Sequence, residues 1–277
     1  MTPTSPSSRT VLVTGASSGI GQATARLFAE SGFRVFGTSR QQRPDQHGVR
    51  MLTMDVRSAS SVQHCVDQVL SDADCIDVLI NNAGVMHEGF AEETTIAEAE
   101  AILDTNLLGA ARVINAVLPG MRAHRHGRII TVGSLAAWVG EPGEAFYAAS
   151  KAGLARYTEA LRHEVWPLGV AVSLIEPGAF TTNVLDAASA SAGTIADYDQ
   201  ARQAARATLH NSLRNGADPR AVATRILAIA NTRTPRYRYG AGRDGRWLPY
   251  LKLLVPQRLF DYLLRRSFGL HDRQTTR

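Results

Sequence analysis

Short apolar runs alternate along this chain with longer segments whose apolar residues recur every three to four positions. Six runs read as buried strands: Arg9–Gly15 (RTVLVTG), Arg34–Arg40, Val49–Asp55, Asp77–Asn82, Arg128–Ser134 and Val170–Glu176. Arg236–Gly240 is a weaker seventh. Between them the helical period predicts Gly19–Ser31, with Ile20, Ala23, Leu27 and Phe28 on one face, and further helices near 58–73, 95–123 and 144–166. Strands that run into helices at this spacing pair in parallel through right-handed crossovers. The expected fold class is α/β, one domain built on a doubly wound parallel sheet flanked by helices. No 20–50-residue period repeats, so a solenoid is excluded.

Two segments stand outside this rhythm. Asn183–Gly216 is rich in Ala and Ser, follows a Pro-Gly turn, and predicts helices over one edge of the site. Arg246–Leu270 sets Leu and aromatic residues at helical spacing on either side of Pro256. It reads as a broken amphipathic helix docked on the domain or on a neighbouring subunit, with an oily substrate or a membrane surface as the second reading. The expected organisation is a disordered Pro/Ser-rich lead at 1–8, a catalytic domain at 9–243, and a helical extension at 244–277 packed on the same domain.

With 277 residues, 44% of them hydrophobic and 20% charged, the chain can bury a full core without metal or disulfide staples. Wholesale disorder is excluded. No run approaches the ~20 apolar residues of a transmembrane span, and the first eight residues lack a signal-peptide core. Cys65 and Cys75 have no metal-site spacing. No metal is expected, and reduced thiols fit a cytoplasmic protein. From Arg214 onward 14 basic residues face four acidic ones, a net of +10 within a chain of net +5. Such a balance fits nucleic acid, an anionic membrane or an acidic ligand. These arginines are scattered among Tyr, Leu and Pro, which reads better as a solvated helix face, and no nucleic-acid-binding signature accompanies them.

Candidate chemistry begins where the first strand meets the first helix, at Thr14-Gly15-Ala16-Ser17-Ser18-Gly19-Ile20-Gly21. Glycines allow a tight turn and close backbone approach, and the helix N-terminus offers N–H groups to a pyrophosphate. At the end of the second strand, where an acid would bind adenosine ribose hydroxyls, the chain has Thr38-Ser39-Arg40, with Arg43 beyond. A guanidinium pairs with a 2′-phosphate that a carboxylate would repel, so NADP(H) is the expected cofactor; a plain surface arginine is the alternative. Asp55 and Val56 after the third strand would meet the adenine, and Asn82, Ala83 and Gly84 after the fourth would approach the ribose. Each is equally readable as an ordinary strand ending.

Tyr147 and Lys151 lie four apart and so share a helix face. A neighbouring ammonium favours phenolate and would bring the tyrosine towards working pH. Only two of the 30 basic residues are lysines, Lys151 and Lys252, and a compact rotatable ammonium does what a guanidinium cannot. Ser134 falls at the carboxyl edge of its strand, placed to polarise a substrate carbonyl. Asn106 is a poor helix-interior residue, and a break there would free a backbone carbonyl. Trp138, Phe146 and Trp166 are core candidates, with Trp138 close enough to Ser134 to line a substrate pocket, and His87 and Glu88 could touch substrate.

TGxxxGxG, Asp55, the NNAG of 81–84, Asn106, Ser134, YxxxK and Pro177-Gly178 occur in an order and spacing that resemble the short-chain dehydrogenases/reductases, over about Arg9–Gly242. The resemblance implies a Rossmann-type fold. It implies Tyr147 as general acid/base, Ser134 orienting substrate, Lys151 on the ribose and Asn106 anchoring a proton relay. Pro177, Gly178, Phe180 and Thr182 would hold the nicotinamide. It also implies a homodimer or homotetramer. The basic, aromatic end after Arg236 resembles, more loosely, the 17β-hydroxysteroid and retinol dehydrogenases. The expected function is NADP-dependent hydride transfer to or from a secondary alcohol or ketone, the substrate lipophilic and steroid- or retinoid-like. An NADPH-binding regulatory or interaction protein without turnover is the alternative.

Overall fold

The computed structural model describes residues 9–181, 188–242 and 244–270. Elements follow in chain order: β1 (Thr10–Val13), α1 (Gly19–Glu30), β2 (Arg34–Ser39), β3 (Val49–Thr53), α2 (Ala59–Asp72), β4 (Val78–Asn81), β5 (His87–Glu88), α3 (Ile96–Leu103) and α4 (Gly109–Ala123). Then come β6 (Gly127–Val132), α5 (Ala145–Val165), β7 (Val170–Pro177), β8 (Ser189–Ala190), α6 (Asp199–Arg214), α7 (Pro219–Asn231), β9 (Arg238–Ala241), α8 (Asp244–Leu254) and α9 (Gln257–Ser267). All seven expected strands are present, the last displaced by a residue or two. They form one parallel sheet in the order β3-β2-β1-β4-β6-β7-β9.

Alternation along each strand builds a core on both faces. Leu12, Leu79 and Ile129 face α2, α4 and α5, among Val62, Val66, Val113, Val117 and Leu161. Their neighbours Val11, Val13, Ile80 and Ile130 face α1 and α7, against Ala25, Phe28, Val222 and Ile226. Each such fully buried aliphatic side chain contributes roughly 1.5–3 kcal/mol of burial. The chain builds outward from β1 to β3, then returns to β4 on the other side of β1. That reversal opens a crevice at the carboxyl ends of β1 and β4, the place where doubly wound sheets bind ligands.

The helix expected over 95–123 is interrupted. Thr95 caps α3 with a capping box to Glu98, and a wide π turn at Asp104–Leu108 joins α3 to α4, with Asn106 at its centre. Taken together, Ile96–Ala123 is long and apolar enough to cross a membrane by length and composition, which the residue-by-residue reading of the sequence did not register. In the fold it is a core element, with Val113, Ile114, Val117 and Met121 buried against the sheet. Trp166, a core candidate, is instead exposed beyond the end of α5.

Pro256 breaks the C-terminal helix as expected, between α8 and α9. The Lys252 ammonium donates to the Trp138 carbonyl, and Thr208 on α6 donates to the Ser267 carbonyl at 3.4 Å. These bonds tie α8 to the segment after β6 and the end of α9 to α6. The lead at 1–8 lies outside the described residues.

Candidate active site

The glycine turn is set by backbone need. Gly15 has φ +65°, a left-handed conformation that disfavours side chains. A Cβ on Gly21 would stand 2.2 Å from the Gly15 carbonyl oxygen, so α1 can start this close to β1 only with glycine there. Asn82 locks the turn: its amide donates to the Thr14 and Gly15 carbonyls at 2.9 and 3.2 Å. The Thr14 hydroxyl accepts from the backbone of Asn82 and Ala83. Ser18 makes no side-chain cap on α1, and no acid occupies its first turn. The helix N-terminus thus keeps its N–H groups and positive dipole end for an anion.

One cleft of about 1090 Å³ runs along the carboxyl edge of the sheet. It collects the sequence candidates Gly15, Ser17, Ser18, Gly19, Ile20, Gly21, Arg40, Asp55, Val56, Asn82, Ala83, Gly84, Ser134, Tyr147, Lys151, Pro177, Gly178 and Phe180. Arg43 and Arg57 line it beside Arg40. Asp55 pairs with Arg57 at 2.8 Å, which holds its carboxyl below the usual range. Thr182 lies outside the described residues.

Lys151 reaches the cleft from inside α5, its side chain almost wholly buried and its ammonium donating to the Val132 carbonyl at 3.2 Å. Burial pulls its pKa down to about 8. Burial also raises the Tyr147 phenol above its ordinary value; Glu144 adds to the rise, and a hydrogen bond with Ser134 opposes it. The sequence reading had the lysine lowering this pKa. In the fold the ammonium stands 5.9 Å from the tyrosine ring centroid, and burial sets the direction of the phenol's shift. The Ser134 hydroxyl also accepts from the Ala136 backbone at 3.1 Å, which fixes its position.

Asn106 does not line the cleft. Its amide donates to the Val85 carbonyl and the Ser150 hydroxyl at 2.9 and 3.0 Å, and its oxygen accepts from the Val85 N–H at 2.8 Å. Gly84 separates it from Lys151: a Cβ there would meet Asn106 Oδ1 at 3.1 Å and Lys151 Nζ at 3.5 Å. Ser134, Tyr147 and Lys151 in one cleft, with Asn106 behind them and a phosphate-ready turn beside them, suit hydride transfer at a carbonyl carbon with proton transfer at its oxygen.

The short chain dehydrogenase family model matches residues 9–193. The chain belongs to that family.

The chain is 36% identical over 260 residues to 3-ketodihydrosphingosine reductase of Bacteroides thetaiotaomicron, covering 90% of this chain and 97% of the relative. The crystal structure of a short-chain dehydrogenase from Streptomyces avermitilis superposes with TM-score 0.83 at 30% identity, covering 97% of this chain and 100% of that one. A family member from Burkholderia phymatum, solved with NAD, gives TM-score 0.75 at 25% identity over 93% and 95% of the chains. A serine dehydrogenase solved with NADP+ gives 0.72 at 26% over 83% and 93%. The chain is therefore an oxidoreductase of ketone and alcohol groups, with a fold whose relatives bind nicotinamide nucleotides of both kinds.

Several further residues line the cleft. Glu141 and Glu144, which carried no signal in the sequence, enter from the loop before α5. Leu209 and Leu213 enter from α6, and Trp247, Leu248 and Leu251 from α8. These five fall in the two segments, Asn183–Gly216 and Arg246–Leu270, that were expected over the site or as an apolar stripe. Among the earlier candidates, Trp138 does not line the cleft and packs against the Arg238 guanidinium, 4.4 Å from its ring centroid. His87 is buried and held by the Ser189, Thr94 and Ser191 hydroxyls. The next residue, Glu88, ties α6 down through Arg206 at 3.0 Å and His210 at 2.9 Å. Both serve the loop over the site.

Proposed function

We propose that the chain is an NADP(H)-dependent ketone reductase acting on a lipophilic substrate, with Tyr147 as general acid. The observation that carries this reading is the hydrogen-bonded Tyr147–Ser134 pair, with Lys151 one turn along α5, in the same cleft as the uncapped start of α1. When bound, the nicotinamide nucleotide supplies the hydride. Ser134 and Tyr147 hold the carbonyl oxygen, and the phenol hands its proton to the oxygen as negative charge grows there. A phenol kept protonated by burial is suited to that direction of reaction. Lys151 would hold the ribose, and Asn106 braces α5 from behind.

NADP(H) over NAD(H) is supported by Arg40, Arg43 and Arg57 around the part of the cleft beyond β2, where Ser39 stands in place of an acid. The pyrophosphate fits the start of α1, and Pro177, Gly178, Phe180 and Thr182 are assigned to the nicotinamide end. Leu209, Leu213, Trp247, Leu248 and Leu251 give the cleft an apolar wall. Steroid- and retinoid-like ketones fit that wall by polarity, and the Bacteroides relative, a reductase of 3-ketodihydrosphingosine by name, favours a linear long-chain ketone. Exposed Ile96 on α3 and Leu108 in the π turn support a homodimer or homotetramer.

The test is NADPH and NADH oxidation across ketones of graded chain length, 3-ketodihydrosphingosine among them. The reading expects turnover that rises with chain length and a preference for NADPH. Tight NADPH binding with no turnover of any ketone would replace it with a nucleotide-binding regulator.

A further inference from the structure

One face of each C-terminal helix is already engaged. On α8 the buried Gly245 and the half-buried Leu248 and Lys252 recur every three to four positions, and the Lys252 ammonium donates to the Trp138 carbonyl. On α9 the half-buried Phe260 and Leu264 lead to Phe268, which is buried beside the bond from Thr208 on α6 to the Ser267 carbonyl. Residues so spaced share one side of a helix. That side accounts for how both helices are held.

The opposite faces are apolar as well. Trp247, Tyr250, Leu251 and Leu254 recur at helical spacing on α8, and Leu259, Tyr262 and Leu263 on α9. Their exposure runs from 43% at Tyr262 to 81% at Leu254. A helix packed on a core in water ordinarily turns polar residues outward. These turn leucines and aromatic rings outward, and a contiguous apolar surface of this kind marks a contact with something other than water.

Charge says what kind of contact. Arg258 and Arg265 lie seven apart along one edge of the α9 stripe, both exposed, and Arg266 donates to the Tyr262 hydroxyl at 3.3 Å. Among the described residues none of these three arginines is in an ion pair. Asp261, the acid on α9, is half-buried and accepts from the Gln257 amide at 2.7 Å. A second copy of the chain, meeting this face with its own across a two-fold axis, would set unpaired arginines against unpaired arginines. A negatively charged surface with an apolar interior answers both the stripe and its edge.

We propose that α8 and α9 lie on an anionic lipid surface. The leucines and rings enter the acyl boundary, and the arginines and tyrosine hydroxyls stay among the headgroups. Trp247 and Leu251 belong to the stripe and to the wall of the cleft alike, so the bilayer meets the protein at the cleft mouth. This placement stands apart from the catalytic reading and needs no turnover to be tested.

Co-sedimentation of the full chain with phosphatidylcholine vesicles, with and without phosphatidylglycerol, is the first measurement. Binding should require the anionic lipid and weaken with salt. It should fall about tenfold or more in a Leu254→Glu, Leu263→Glu variant, and about 10- to 30-fold in an Arg258→Gln, Arg265→Gln variant. All four side chains are exposed and none lines the cleft, so NADPH binding should match wild type in both variants. Binding to neither vesicle overturns the proposal, and equal binding to both overturns the role of the arginines. An oligomer that dissociates in the leucine variant also overturns it, because a second copy would then cover the stripe.

Quenching of tryptophan fluorescence by acyl-brominated phosphatidylcholine, mixed into the anionic vesicles, tests the orientation. It should be lost in Trp247→Phe. Quenching that persists there would mean that the lipid meets another side of the molecule, where Trp166 is exposed beyond α5, and would overturn the placement of the cleft mouth.

Discussion

The Asn106 amide donates to the Ser150 hydroxyl at 3.0 Å, and that hydroxyl donates to the Tyr147 carbonyl at 2.7 Å. The π turn between α3 and α4 is thereby fastened to the helix that carries Tyr147 and Lys151. Asn106→Ala would remove the side-chain partners of the Val85 N–H and carbonyl and one of the two bonds of the Ser150 hydroxyl, at roughly 2–4 kcal/mol of stability. Urea denaturation should show a lower midpoint at unchanged slope. The kcat should fall more than KM rises, because Tyr147 and Lys151 lose their brace.

Arg40 is the second place to intervene. Arg40→Ala should raise the KM for NADPH about 10- to 100-fold, the weight of a charge-assisted phosphate contact, and leave that for NADH within about threefold. Initial rates with each cofactor check this. Loss of both cofactors together would mean that Arg40 acts on the shared part of the nucleotide.

The pH dependence of folding reports two buried groups. Burial raises Glu144 from 4.5 to about 8. Between those values the folded state binds the extra proton, so this group's contribution to stability declines as pH rises from 4.5 through 8. Lys151 is lowered from 10.5 to about 8. Above pH 8 the unfolded state binds the extra proton, so its contribution grows towards 10.5. The unfolding free energy of wild type should sink from pH 5 to pH 8 relative to that of Glu144→Gln, by a few kcal/mol at most. Parallel curves for the two proteins would contradict the burial of that carboxyl.

Periodicity located the sheet because strands and helices announce themselves by repeat, as in Val11, Leu12 and Val13 or in Ile20, Ala23 and Leu27. The glycine turn, Arg40, Tyr147 and Lys151 were legible for a related reason: their chemistry requires fixed residue types at fixed spacing. Asn106 was read as a helix breaker, and the turn there is indeed irregular; its amide, however, is consumed by Val85 and Ser150, contacts that only the tertiary structure creates. Glu144 left no trace in the pattern, since a lone acid before a helix is commonplace and only burial makes it unusual. Trp247 and Leu251 were seen as one apolar stripe, but the side of the molecule that the stripe would reach depends on how β9 leads into α8.

The central claim is that the Tyr147 hydroxyl delivers the proton in a hydride-transfer reaction, and Tyr147→Phe tests it most directly. Single-turnover NADPH oxidation with a ketone that wild type reduces should slow by roughly 10²- to 10⁴-fold, the range of one proton-transfer group. NADPH affinity, followed by its fluorescence, should stay within about threefold, since the variant removes a single oxygen atom. Oxidation at the wild-type rate would contradict the account.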